Sequence, residues 1–369
     1  MEASKLMTTP NRIDDDPRWA SAPGDTIRRI LDSRGQRSEQ LADGLGIRLV
    51  EAQQLIDGQT EITGDLAVAL ARFVGSTPNF WLVRDSSYRE SLAWLDADSL
   101  VQRSPIADMV GKGWLEATSG WKSQARALLS FYDVRDAAEW TAKWAPRLSE
   151  THFRSSKAFK SEDLSVAAWL RQVERGASQI SVSRWDPSRL RSLLPELRHL
   201  SKLSDISKSL SVAQSLIASS GVALQLFPAP AGNRLSGAAF VLESGQRVIG
   251  LTGRHLAEDH LWFTLFHEIA HLLLHSNEDS FLDILDPGEG ESNVEDEANT
   301  FARNALIPTG LTRFRETRPT MRRVLAFAAA EGVAPGVVVG QLHHEGILQY
   351  NQLRRLIRRY HWDDSTLKT

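Results

Sequence analysis

The apolar residues of the first quarter of the chain follow a helical period that is interrupted several times. Within residues 22–95, Leu41 and Leu55 fall at helical spacing on either side of a break at Gly46. Two short helices joined by a turn of a few residues are typical of a helix-turn-helix. The pattern therefore predicts a helix-turn-helix bundle over residues 22–95. Residues 1–21 have no apolar stretch like that of a secretory signal and are predicted to be a flexible tail.

Residues 96–205 keep a helical period and are rich in tryptophan. The rings are Trp114, Trp121, Trp140, Trp144, Trp169 and Trp185. We interpret them as core or interdomain packing, because each buries a large apolar area and no catalytic spacing accompanies them. This segment is predicted to be a helical connector. Residues 319–369 are predicted to be helical as well, and the run "NQLRRLIRRYHW" within them is interpreted as a solvated helix face, with contact to nucleic acid or an acidic partner as the alternative.

The period changes after residue 210. Three short apolar runs bounded by Gly, Pro and Ser are predicted to be strands, within residues 221–230, 236–244 and 246–254. A helix around 258–275 follows, and a second helix near 293–306 stops at Pro308. These elements predict an α+β domain with a small sheet over residues 206–318. The whole chain is thus predicted to be mainly α with a small α+β part.

Composition limits the chemistry that the chain can carry. It has 369 residues, of which 42% are hydrophobic and 24% are charged, and a net charge of −3. This length favours two or three domains. No stretch reaches the roughly 18 consecutive apolar residues of a membrane span. The absence of cysteine excludes disulfides and thiolate metal sites and fits a reducing cytoplasm, the compartment that we expect. Any metal must therefore be held by His, Asp or Glu.

The predicted helix around 258–275 contains a pattern of metal-ligating residues. His267, Glu268 and His271 fit the sequence H-E-x-x-H. Residues four apart share one face of a helix, so both imidazoles can reach one ion while Glu268 lies beside them. The flanking residues are leucines and a phenylalanine, which indicate a buried helix. Burying two histidines beside a carboxylate is costly unless a metal binds them. The alternative is an ordinary pair of surface or core histidines.

A third histidine, His275, follows on the same helix. It lies eight residues beyond His267, which is about 12 Å along a straight helix axis. Zinc–nitrogen bonds are near 2 Å, so one helix cannot bring both outer rings to a single ion. The third ligand is therefore expected from the next helix.

Several acids of that next helix compete for the role. Ser292 and Glu295 have the spacing of a capping box, which explains Glu295 without a metal. Asp296 points elsewhere, whereas Glu297 falls on the apolar face of the helix, where a carboxylate needs a charged partner. That face consists of Val294, Ala298, Phe301 and Ala305. Glu297 is the predicted third ligand.

Two histidines, one glutamate and a water form an open catalytic site, whereas structural zinc sites normally have four protein ligands. One zinc ion per chain would polarise a scissile carbonyl and lower the pKa of its bound water. Glu268 would take the proton from that water and pass it to the leaving amine. The donor to the oxyanion stays open among Tyr350, His343, His344 and Tyr132.

The sequences "FTLFHEIAHLLLHS" and "EDEANTFARNALIP" resemble the ImmA/IrrE metallopeptidases, over roughly residues 206–310. The resemblance implies a zincin-like domain with zinc at His267, His271 and Glu297 and with Glu268 as the base. It also implies a cytoplasmic regulator that cuts a repressor or an antitoxin.

The front of the chain, over roughly residues 22–94, is similar to the HigA-type antitoxins of the XRE helix-turn-helix class. The similarity implies dimers formed through the N-terminal domain, which bind operator DNA and a partner toxin. The DNA contacts would come from Arg37, Ser38, Arg48, Gln53 and Gln54. The chain departs from the family at Arg37 and Ser38, where Ser and Gln are usual. Residues 24–95 hold eight Arg and no Lys against ten acids, which disfavours tight DNA binding because that binding draws on phosphate neutralisation.

Two functions follow from these patterns. The first is a zinc endopeptidase that cleaves a regulatory protein in a toxin–antitoxin, prophage or stress-response system, guided by its helix-turn-helix domain. The second is a DNA-binding regulator or antitoxin whose metallopeptidase fold is a sensor or an interaction surface. The complete H-E-x-x-H pattern favours the first, because a pure binding module has no need of the base.

Overall fold

The computed structural model describes residues 17–149, 161–275, 280–283, 293–364 and 366–369. Most of the predicted tail, residues 1–21, lies outside these ranges. The chain forms two compact units. The first unit comprises Met1–Gln102 with Glu116–Ala142, and the second comprises Arg103–Leu115 with Lys143–Thr369. The predicted connector, residues 96–205, therefore contributes to both units.

Eleven described helices precede the sheet. They are α1 (Pro23–Ser33), α2 (Ser38–Leu45), α3 (Leu49–Ile56), α4 (Gly64–Phe73), α5 (Pro78–Arg103), α6 (Ile106–Gly111), α7 (Trp121–Tyr132), α8 (Ala137–Ser149), α9 (Ser161–Ala177), α10 (Pro187–Leu200) and α11 (Ile206–Ala218).

In the first unit, the helices and the break that the apolar pattern predicts are present. Helices α2 and α3 are joined by residues 46–48, and Gly46 caps α2 with a left-handed backbone (φ 68°). Glycine suits this position because a Cβ disfavours positive φ. Leu41 and Leu55 are buried in one core with Trp81 of α5.

The second unit contains a four-stranded sheet. Its strands are β1 (Val222–Leu226), β2 (Gly237–Val241), β3 (Arg247–Leu251) and β4 (Ser280–Asp283). The order is β1-β3-β2-β4; β1 and β3 are parallel, and β2 is antiparallel to both β3 and β4. The three strands predicted from the sequence are confirmed, and β4 is an addition at the edge next to β2.

In the described part of the chain, five further helices follow the first three strands. They are α12 (Glu258–Leu274), α13 (Asn293–Leu306), α14 (Thr312–Glu316), α15 (Met321–Glu331) and α16 (Pro335–His344). Helix α12 lies in the main core, where Trp262, Phe266 and Ile269 are almost fully buried. It packs against α13, α16 and strands β2 and β3. The prediction of a mainly α protein with a small sheet is thus confirmed.

The C-terminal segment differs from the prediction of a helix through residue 369. After α16 the described chain forms a short 3-10 turn, Arg354–Leu356, and a hairpin of β5 (His361–Asp363) and β6 (Thr366–Lys368). Arg358 turns inward to form an ion pair with the buried Glu258. The prediction of a helix for this arginine run was therefore wrong, although Arg354, Arg355 and Arg359 are exposed, as the solvated-face interpretation expects.

Among the described residues, no single helix is long and apolar enough to cross a membrane. Two bent helix pairs, Gly64–Phe73 with Pro78–Arg103 and Met321–Glu331 with Pro335–His344, reach that length and apolarity only when their halves are combined.

Candidate metal centre

Helix α12 presents its polar residues to the interior of the second unit. Glu258 and Asp259 occupy its first turn, where acidic groups suit the positive end of the helix dipole. The helix ends at Leu274, and His275 is the C-cap residue. Leucines and phenylalanine fill the turns between, which keeps the helix buried on most of its circumference. This burial holds the H-E-x-x-H residues on a rigid element.

Donor atoms of three residues, two on this helix and one on the next, converge. The Nε2 atoms of His267 and His271 are 2.9 Å apart. The Glu295 carboxylate of α13 places one oxygen 3.2 Å from Nε2 of His267 and the other 3.6 Å from Nε2 of His271. Both histidines are fully buried. Each of the three residues offers one ligand atom, and these atoms all lie within 4.8 Å of one another.

These distances fit a small divalent ion. Bonds of zinc to His nitrogen and carboxylate oxygen are about 2.0–2.2 Å, so two ligand atoms in a tetrahedral site are about 3.3 Å apart. The three observed separations lie close to that value. Two imidazoles and one carboxylate are also a donor set that zinc binds in catalytic sites, with a fourth position left for water or substrate.

The structure corrects the predicted third ligand. Glu297 does not approach His267 or His271; its carboxylate lies 3.8 Å from Nε2 of His275, and its side chain is 63% exposed. Residues two apart lie on nearly opposite faces of a helix. The face of α13 that is fully buried contains Ala298, Ala302 and Leu306, and Glu295 shares that face. The apolar pattern in the sequence had predicted a buried face of α13 that is shifted by about one residue from the observed one.

His275 stays outside the three-residue cluster, as the spacing along the helix predicted. Its ring centroid is 5.7 Å from that of His271. The contact with Glu297 pairs it with the acid that the sequence had assigned to the metal. Glu295 therefore contacts His267 and His271, whereas Glu297 contacts His275.

Asn299 fixes the orientation of one imidazole, a role that sequence reasoning missed. It lies one turn after Glu295 on α13, and its Oδ1 is 3.1 Å from Nδ1 of His267. An amide oxygen can only accept, so Nδ1 of His267 carries the hydrogen. Nε2 then keeps its lone pair toward His271 and Glu295. Partners of this kind set both the tautomer and the basicity of a metal-binding histidine.

Replacing Asn299 by alanine is expected to lower zinc affinity by about 10- to 100-fold, because outer partners of histidine ligands contribute that much. The measurement is a competition titration against a chromophoric chelator. Asn304→Ala is the matched control, since Asn304 lies on the exposed face of the same helix. Equal affinities for Asn299→Ala and the wild type would remove Asn299 from this role.

Burial and neighbouring groups prepare the cluster for a cation. Burial, together with the nearby His267, lowers the pKa of His271 to about 3, so the imidazole is neutral at physiological pH. Burial by itself raises the pKa of Glu295, but its contacts with His267 and His271 outweigh burial and leave the pKa lowered. A neutral imidazole and an ionised carboxylate are the forms that bind metals.

Glu268 lies beside the cluster and is fully buried. It packs against Gly237, the first residue of β2. A Cβ atom at Gly237 would lie 2.3 Å from Oε1 of Glu268 and 2.7 Å from Cγ2 of Thr264, which is closer than side chains approach. The glycine therefore makes room for the carboxylate. The sequence carries no signal for this contact, which joins a strand to a distant helix.

The four side chains named as oxyanion donors lie in different surroundings. Nε2 of His343 is 2.8 Å from the carbonyl oxygen of Gln352, and its ring is 5.4 Å from that of Tyr350. His344 lies 3.5 Å from Nη1 of Arg303. Tyr132 belongs to the first unit and is buried there. The choice among them stays open.

The predicted DNA-contacting residues lie on α2 and α3 or at their starts. Arg48 is the N-cap residue of α3, is largely exposed, and pairs with Glu51 at 2.7 Å. Nε2 of Gln53 is 3.3 Å from Oδ1 of Asp57, one turn further on. The remaining three are Arg37 and Gln54, which are exposed, and Ser38, which is half-buried. Exposure suits a binding surface, but the Arg48 guanidinium is already paired with the carboxylate of Glu51.

The fold and the cluster of His267, His271 and Glu295 have the features of a metallopeptidase-like domain. Residues 224–342 match the family model described as IrrE N-terminal-like domain (Peptidase_M78). The match spans α12 and α13 and covers about a third of the chain, so it supports the metallopeptidase part of the resemblance seen in the sequence. None of the curated proteins matches the chain.

Proposed function

We propose that the chain is a zinc-dependent endopeptidase. The observation that carries the proposal is the convergence of His267, His271 and Glu295 on one point, with the buried carboxylate of Glu268 beside them on α12. The match of residues 224–342 to a peptidase family supports it. A site with three protein ligands keeps a position for water or substrate.

The residues of the site have separate roles in peptide hydrolysis. His267, His271 and Glu295 would hold one zinc ion, which when bound supplies a Lewis acid that polarises a carbonyl and acidifies water. Glu268 takes a proton from the attacking water and delivers it to the departing amine nitrogen. Gly237 leaves the space in which this carboxylate lies. Asn299 keeps the imidazole of His267 oriented.

The substrate class that we propose is a regulatory protein, a repressor or an antitoxin of a toxin–antitoxin, prophage or stress-response system. The proposal rests on the resemblance of the metal-binding helices to the ImmA/IrrE peptidases. The helix-turn-helix pattern in the first unit would guide the enzyme to its protein substrate or to a partner toxin.

Replacing Glu268 by glutamine is expected to abolish cleavage while the protein keeps its fold and its zinc, because the amide retains the shape of the side chain but cannot accept the proton. The test is to express the wild type and Glu268→Gln in the native host, with and without stress, and to compare new protein termini by mass spectrometry. Glu297→Gln is the control, since the same chemical change is made at an exposed acid.

A regulatory protein cut by the wild type and by Glu297→Gln, but not by Glu268→Gln, would support the proposal and identify the substrate. Residual cleavage by Glu268→Gln would show that Glu268 is not the base. No difference between wild type and Glu268→Gln under any condition would contradict the peptidase function.

The second candidate function is that of a DNA-binding regulator. The exposed Arg48 at the start of α3, next to the exposed Leu49 and Val50, favours a binding surface there. This function requires operator affinity to fall when Arg48 and Gln54 are both replaced by alanine, as measured by gel shift at fixed salt. Unchanged affinity would contradict it.

A further inference from the structure

The loop between β1 and β2, residues 227–236, is held by side chains from helices that precede the sheet. Its exposed residue Ala231 has both backbone groups bonded. The amide donates to Oδ2 of Asp108 at 2.6 Å, and the carbonyl accepts from Oγ of Ser165 at 2.8 Å. In an exposed loop such groups are commonly satisfied by water. Two side chains, one from α6 and one from α9, fix the loop instead.

The same part of the chain also holds the beginning of the loop. The indole Nε1 of Trp169 donates to the carbonyl oxygen of Phe227 at 3.0 Å. The ring of Trp114 meets the ring of Phe227 edge-on, with centroids 6.4 Å apart. Both tryptophans are buried. This part of the predicted connector is therefore a support for the loop.

The end of the loop leads directly to the catalytic carboxylate. Oγ1 of Thr252 donates to the carbonyl oxygens of Leu235 and Ser236, at 2.9 and 3.1 Å. The next residue is Gly237, which lies against Oε1 of Glu268. A displacement of the loop that reaches Gly237 would therefore change the space available to Glu268.

Asp108 has an unusual place along the chain. It belongs to Arg103–Leu115, which is part of the second unit, although the residues before and after this segment belong to the first unit. We call Arg103–Leu115 the inserted segment. It is the covalent continuation of the first unit at both of its ends, and through the Asp108 carboxylate it accepts a hydrogen bond from Ala231 of the loop.

We propose that Asp108 is a positioning residue for the peptidase site, which fixes Ala231 in the β1–β2 loop and thereby sets the place of Gly237 against Glu268. This inference rests on the proposed peptidase function. A hydrogen bond to a carboxylate is stronger than one between neutral groups, so the loss of the Asp108 contact is expected to loosen the loop at Ala231. The inserted segment thus contacts, through Asp108, the loop that ends at Gly237 beside Glu268.

The test is amide hydrogen exchange of the full chain, followed by mass spectrometry of peptides covering residues 227–238. Asp108→Ala is expected to speed exchange in these peptides about tenfold or more, because a charge-assisted hydrogen bond is lost. Asp108→Asn is expected to have a smaller effect, since its amide oxygen still accepts. Glu116→Ala is the matched control, because Glu116 is an exposed acid just beyond the inserted segment. Zinc affinity should be the same in all variants.

Exchange needs no substrate, so this readout is independent of whether the wild type cleaves anything. Unchanged exchange in residues 227–238 of Asp108→Ala would overturn the proposal, as would faster exchange that stops short of residues 235–238. If Asp108→Ala does not fold, Asp108→Asn decides on the same criterion. With a substrate identified, the proposal further requires kcat to fall at an unchanged KM, and an unaltered kcat in a variant with a loosened loop would overturn it.

Discussion

Replacing Glu295 by alanine is expected to reduce zinc affinity by on the order of 100-fold or more, whereas replacing Glu297 is expected to leave it nearly unchanged. Even outer partners of a zinc ligand contribute about 10- to 100-fold, and Glu295 is proposed as a direct ligand. Its oxygens lie 3.2 and 3.6 Å from the two histidine nitrogens, whereas the nearest imidazole to Glu297 is that of His275, at 3.8 Å. Competition with a chromophoric chelator measures both affinities.

Glu295→Ala and Glu297→Ala form a matched pair, because each removes one carboxylate near the start of α13. Glu295→Gln adds a second test, because an amide oxygen is a weaker zinc ligand than a carboxylate and should give an intermediate loss. A larger loss in Glu297→Ala than in Glu295→Ala would restore the ligand predicted from the sequence and contradict the arrangement in the structure.

Replacing Arg358 by alanine is expected to lower the free energy of unfolding by about 3–5 kcal/mol, the range found when one partner of a buried ion pair is removed. Glu258 is fully buried at the start of α12. Arg358 pairs with it and also donates to the carbonyl oxygens of Ser201 and Leu203. Urea denaturation of the purified variant, followed by far-UV circular dichroism, measures the loss.

A double variant separates the charge from the packing. Glu258→Gln combined with Arg358→Ala leaves no buried charge, so it should be less destabilised than Arg358→Ala alone. Arg355→Ala is the control, since Arg355 is exposed and its guanidinium contacts only the sulfur of Met321 among the contacts described here. A double variant as unstable as Arg358→Ala would show that the lost contacts to Ser201 and Leu203, and not the charge, are responsible.

The free energy of unfolding is expected to depend on pH through Glu258, and the direction of this dependence follows from the shift of its pKa. Burial raises the pKa of Glu258 above its ordinary value of 4.5, although Arg358 opposes the shift. The folded state then binds this proton more tightly than the unfolded state, so the contribution of Glu258 to stability is present below pH 4.5 and is lost as the pH rises through the raised pKa. In Arg358→Ala the opposing charge is gone, and the deficit in stability should therefore shrink on acidification.

The sequence predicted the elements of the second unit well, because their periods are distinct. Short apolar runs with turn residues at their ends identified β1, β2 and β3, and the H-E-x-x-H pattern placed two histidines on one face of α12. The apolar pattern of α13 favoured Glu297, because this helix carries apolar residues on two adjoining faces and Glu295 and Glu297 each border one of them. A capping box also offered Glu295 a role without a metal. Its partner Ser292 lies outside the described residues.

Contacts between distant parts of the chain explain what the sequence could not predict. Asn299 meets His267 across 32 positions, and Gly237 meets Glu268 from another element. The ion pair of Arg358 with Glu258 joins the start of α12 to a segment whose local pattern favoured a helix. Each of these contacts is set by packing in three dimensions. Local periodicity and spacing carry no information about such packing.

The path of the chain through Arg103–Leu115 limits how the two units can be separated or exchanged. A fragment that starts at Lys143 lacks Asp108 and Trp114, and one that starts at Arg103 carries along Glu116–Ala142, which packs with the first unit. No single cut therefore yields both units intact. A hybrid that keeps the second unit intact behind a different N-terminal segment would therefore have to keep residues 103–142 as well, and these include Glu116–Ala142 of the first unit.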